Sequence, residues 1–157
     1  SANMVPSGYK GSVTKINLTP QDFYPRGVNS TGFVTPVLAS GSIQASVGLG
    51  GELDYCLVRH EITIPKNMVP DTVTMKGSDQ LGSRIMVYMA RVDDESLTPL
   101  TPAPIQFGKG VSGLAKLLDK IGYKTTKLDS LGIYMVIELQ LSNQARLYGG
   151  SIGFQSA

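Results

Sequence analysis

Tryptophan is absent, cysteine and histidine occur once each (Cys56 and His60), and only 17% of the 157 residues are charged, against roughly 25% in ordinary soluble domains. One cysteine excludes an internal disulfide and every multi-cysteine zinc site. Without tryptophan or a second cysteine, the Cys…Trp…Cys mark of an immunoglobulin domain is missing too. Fourteen basic against twelve acidic residues leave a net charge of +2, too little for a global field that draws in nucleic acid. Long apolar runs are also lacking. Even the strongly apolar stretch Ile133 to Ile137 falls far short of the roughly 20 residues of a membrane-spanning helix, so no transmembrane segment is expected. Ser1 to Pro6 show no cationic flank followed by an apolar run, and no signal peptide is expected.

What is present is turn-forming and apolar. Eighteen glycines and nine prolines accompany an apolar content of 41%, which excludes a coiled coil or a charged disordered tail and favours many short elements. The length suits a single domain over residues 1–157, and no internal repeat is visible.

Alternation with period two dominates. Ile43, Ala45, Val47 and Leu49 interleave with Ser42, Gln44, Ser46 and Gly48, as in a strand with one buried and one wet face. Tyr9 to Leu18 and Gly32 to Leu38 are shorter strand candidates, and Pro36 demotes the second to an edge strand or a bulge. From Leu53 to Ile64 the apolar phase switches from odd to even positions, which predicts a bulge or a bend near Leu57-Val58. Pro65 and Pro70 are expected to close that element, before a short strand from Asp71 to Met75 and a turn from Gly77 to Gly82. Arg84 to Val92 is apolar on both faces, as a strand covered on both sides would be.

One helix is expected. Val111, Leu114, Leu117, Leu118 and Ile121 share a face at helical spacing, with Ser112 as N-cap and Gly122 just past the C-terminus. Leu131 to Leu141 and Arg146 to Phe154 then read as a closing hairpin turned at Ser142 to Ala145. These elements predict a mainly β fold: a β-sandwich, jelly-roll-like, of seven or eight antiparallel strands with one short helix in a crossover.

Residues suited to catalysis are scarce. Cys56 and His60 share a face of one predicted strand, but four residues of extended chain hold them roughly 13 Å apart, whereas a nucleophile and its base need about 3 Å. Asp93-Asp94-Glu95 lacks the spacing of a calcium loop and reads as a solvated turn. Gly48, Gly50 and Gly51 match no phosphate-loop motif and read as a hairpin turn. No enzyme, no metal and no cofactor is expected.

Two groups remain as candidate contacts. Lys109, Lys116, Lys120, Lys124 and Lys127 cluster with Asp119 the one acid among them. They suit either a phosphate contact, on nucleic acid or anionic lipid, or a solvated helix face. Tyr24, Pro25 and Arg26 place an aromatic and an arginine beside a proline, as in an interface anchor, though they could equally cap the core. A carbohydrate-binding module would have to use Tyr24, Tyr55 or Tyr123 as its platform.

Strand count, turn density and size resemble those of the small jelly-roll coat or capsid proteins of viruses. That resemblance implies a non-enzymatic structural subunit that self-assembles, a homo-oligomer or larger assembly, contacts with other virion proteins, and a place in the virion or host cytoplasm. Unlike the basic arm of many RNA-virus coats, residues 1 to 15 hold only Lys10 and Lys15, which argues against genome binding by this segment. A local resemblance to rhabdovirus matrix proteins rests on Arg84–Val92, the run Asp93 to Leu97, the lysine-bearing helix and the closing strands. It implies a matrix-type role with the lysines facing lipid or nucleocapsid.

Overall fold

A computed structural model describes residues 14–25, 32–47, 55–78, 83–92, 94–101, 103–107, 110–122 and 132–156. In chain order the strands are β1 (Thr14–Leu18), β2 (Tyr24–Pro25), β3 (Gly32–Val37), β4 (Ser42–Val47), β5 (Cys56–Thr63), β6 (Met68–Gly77), β7 (Arg84–Arg91), β8 (Asp94–Pro99), β9 (Ile105–Gln106), β10 (Ile133–Leu141) and β11 (Arg146–Ser156). Helix α1 spans Leu114–Lys120, and a 3-10 turn covers Pro20–Asp22.

The strands form two antiparallel sheets. In the five-stranded sheet β11 is central: β6 pairs along one edge, β1 and β4 along the other, and β3 lies outside β4. In the six-stranded sheet the order is β2-β5-β10-β7-β8, with β9 also on β7. Successive strands lie in different sheets except in the β3–β4 hairpin, the run from β7 to β9 and the step from β9 to β10. After β9 it returns to the first sheet, where Val111 bridges Val73 of β6, before α1.

Alternation explains the layering. Ile133, Met135, Ile137, Leu139 and Leu141 of β10 are buried together with Val58 and Ile62 of β5 and Ile85, Val87 and Met89 of β7. Ile43, Ala45, Val73, Met75, Ile152 and Phe154 belong to the same core from the other sheet. Each fully buried aliphatic or aromatic side chain contributes roughly 1.5–3 kcal/mol. Leu114 and Leu118 of α1 join this core, and Gly122 sits at φ +91 just past the helix, as expected of a terminating glycine.

The sandwich reading therefore holds, and several local expectations change. Among the described residues there are eleven strands rather than seven or eight, because β2 and β9 are two-residue pieces and the acidic run continues into β8. β10 and β11 form no hairpin. They lie in opposite sheets, and the turn between them instead bonds to β4, with Ala45 N–H donating to the Ala145 carbonyl at 2.8 Å and Gln144 N–H to the Ala45 carbonyl at 3.0 Å. No bulge interrupts β5, whose register with β10 is continuous from Cys56 to Thr63. Its even residues face the core, and Leu57 is buried on the opposite face, across from Gln140. Pro70 lies inside β6, where the register shift between Gly153 and Phe154 accommodates it. On β7 only one face is fully buried, since Arg84, Met86 and Tyr88 are half-buried. The residue preceding α1 is Gly113 at φ +72, with no side-chain cap from Ser112. The glycines at 48, 50 and 51 and most of the 77–82 turn lie outside the described residues.

Candidate interaction surfaces

Two surfaces carry the side chains most able to meet a partner. The first is the outer face of the six-stranded sheet. Antiparallel register sets Arg59 of β5 opposite Glu138 of β10 and Tyr24 of β2. The Arg59 Nη2 donates to Glu138 Oε2 at 2.8 Å, with side chains only 14% and 12% exposed. Tyr24 donates its hydroxyl to Glu61, and Tyr88 hydrogen-bonds Glu138. Burial, followed by the negative charge and hydrogen bond of Glu138, pushes the Tyr88 hydroxyl above its ordinary value of 10.0, and the Arg59 charge opposes this. Arg59 Nε is buried and has no hydrogen-bond partner among the described residues. At one end of this face a cleft of about 330 Å³ lies between Glu61, Thr63 and Tyr134 on its polar side and Ile64, Val92 and Ile133 on its apolar side.

The second surface is the β3 edge of the five-stranded sheet. Among the described residues β3 pairs with β4 alone. Phe33 on this strand is 59% exposed, and Leu38 at the following turn is 94% exposed. The turn is a four-residue loop whose last residue, Gly41, has φ +66, and Gln21 Nε2 ties it down by donating to the Gly41 carbonyl at 2.7 Å. Neither β3 nor β4 holds a charged residue.

The residues singled out from sequence are divided between these surfaces and elsewhere. Tyr24 and Pro25 are exposed on β2, at the side of β5. The core-capping role falls to the preceding residue, Phe23, which is buried and sets its ring edge-on to His60 at 5.4 Å. Arg26 lies outside the described residues, as do Lys109, Lys124, Lys127 and Tyr123. Lys116 and Lys120 are exposed one turn apart on α1. Tyr55 is half-buried just before β5.

Cys56 is fully buried and His60 half-buried, both on the core side of unbroken β5, so extended backbone keeps them apart. No group of three His, Cys, Asp or Glu gathers as a metal site among the described residues. No helix there is long and apolar enough to cross a membrane. Sequence reasoning missed Arg59, Glu61, Tyr88 and Glu138, although a charged residue amid the apolar runs of both β5 and β10 was a signal for such a pair. It also missed the exposed Phe33 and Leu38. No family model, no curated protein and no solved structure matches this chain.

Proposed function

We propose that this protein is a non-enzymatic structural subunit of viral capsid or coat type, acting through self-assembly and protein–protein contacts. Chain connectivity that passes repeatedly between two antiparallel sheets, as described above, supports a jelly-roll reading, an architecture common in capsid domains. The observation that carries the proposal is the β3 edge, whose outer side meets no other strand among the described residues and which bears the exposed Phe33 and is followed by the exposed Leu38. A lone domain leaves those apolar groups in water, whereas an assembly covers them.

Light scattering behind size exclusion, at low and high salt, with negative-stain imaging of any large peak, tests the proposal. Multimers that persist at high salt are expected, because apolar and edge-strand contacts are little screened. A monomer under every condition overturns it. The matrix-type alternative draws on Lys116 and Lys120, exposed together on α1. It predicts instead binding to anionic vesicles that is lost at high salt and on changing both lysines to Glu.

A further inference from the structure

We infer that two copies of this chain associate through their β3 strands, antiparallel and edge to edge about a two-fold axis centred on Val34. The inference rests on the assembly reading and names its contact.

Backbone geometry singles out the strand and its register. The Val37 carbonyl accepts from the Gly41 N–H at 2.9 Å and from the Ser40 N–H at 3.2 Å, within its own hairpin. Polar backbone groups of successive residues on a strand point to opposite edges. Those of Phe33, Thr35 and Val37 therefore face β4, and those of Gly32, Val34 and Pro36 face outward. Pairing Val34 with Val34 of a second copy lets each N–H reach the other's carbonyl. In the same register each Gly32 N–H meets the partner copy's Pro36 carbonyl. Every outward N–H of β3 is then satisfied, and the N–H that Pro36 lacks costs the pair only the bond it would have made to Gly32. A proline on this strand thus thins the interface without forbidding it.

The side chains suit the same occupant. β3, its turn and β4 carry no charge, so a two-fold contact brings no like charges together. Phe33 and Thr35 lie on one side of the sheet, opposite Ser46 and Gln44 of β4. In the Val34 register each Phe33 sits beside the other copy's Thr35, which removes part of its 59% exposure from water. The opposite flank of the sheet does not offer this template, because β6 is bridged there by Val111, with Val73 N–H to the Val111 carbonyl at 2.9 Å and the reverse bond at 2.8 Å.

Val34→Pro provides a selective test. It removes an outward N–H while sparing the β3–β4 ladder, whereas Thr35→Pro breaks that ladder. Molecular mass by light scattering, alongside urea unfolding, is the readout. With two of the four cross-copy bonds gone, Val34→Pro is expected to weaken self-association by roughly tenfold or more, with an unfolding midpoint near that of wild type. Should Val34→Pro fail to fold, Phe33→Lys at the exposed position carries the test, with the same loss expected. Wild type that assembles while a folded Val34→Pro or Phe33→Lys assembles equally well overturns the β3 contact and leaves the assembly reading standing. Wild type that is monomeric throughout overturns both.

Discussion

Arg59 and Glu138 meet at 2.8 Å across neighbouring strands, 79 residues apart in sequence, with side chains 14% and 12% exposed. This is an ion pair largely removed from water on the outer face of a sheet. Its energetics are asymmetric, because losing one partner strands the other charge. Arg59 is the more vulnerable member, since its Nε already lacks a partner among the described residues.

Glu138→Ala is accordingly expected to destabilise the fold by roughly 3 kcal/mol, read as a lower urea midpoint. Replacing both residues with apolar ones of similar volume, Arg59→Met with Glu138→Leu, should recover most of that loss. A double variant as unstable as the single one would show that the pair matters for more than charge balance.

Tyr88 makes stability depend on alkaline pH. Its pKa is raised in the fold, chiefly by burial and then by Glu138. The unfolded chain therefore releases the proton first as pH rises. The stabilisation is fully present below the ordinary value of 10.0 and is lost as pH climbs from there through the folded value. Urea midpoints measured from pH 8 upward should fall above about pH 10, and more shallowly in Tyr88→Phe. An identical slope in both proteins would contradict the assignment.

Two glycines should respond differently to the same added methyl. At Gly150 a Cβ would meet the Thr74 backbone carbonyl oxygen and lie 2.6 Å from Met75 Sδ, and a backbone atom has no free space into which to retreat. Gly150→Ala is expected to cost roughly 3 kcal/mol or more. At Gly41 nothing lies within 4 Å and only the left-handed φ of +66 resists, so Gly41→Ala should cost about 1 kcal/mol. Thermal or urea unfolding of the two variants orders them directly.

The Cys56 thiol is fully buried and forms no disulfide. Native protein should react with a thiol reagent orders of magnitude more slowly than urea-unfolded protein, following the opening of β5. Rapid labelling under native conditions would show that the strand opens locally well below the global unfolding free energy.

Alternation of apolar residues was legible without a structure. Ile133 through Leu141 reads as a strand with its odd residues inside, and so it is. Helix α1 and its terminating Gly122 were legible for the same reason: burial on one face of a short element leaves a periodic trace in neighbouring residues. Partnership between strands leaves no such trace. Ser142 to Ala145 looks like a hairpin turn, yet β10 and β11 belong to opposite sheets, because both must turn an apolar face to one shared core and a turn of the same length can bridge the layers. Likewise the Leu57-Val58 phase change suggested a bulge or a bend. The strand runs straight instead, with Leu57 buried on its outer face across from Gln140. Arg59 and Glu138 were visible only as isolated charges, and register across distant strands made them a pair. Local periodicity thus determined what the elements are and which faces they bury. Closing two sheets around one core decided which strands became neighbours, which charges met, and that the uncharged β3 is the outermost strand on its side of the sheet among the described residues, because those outcomes depend on contacts between residues far apart in the chain.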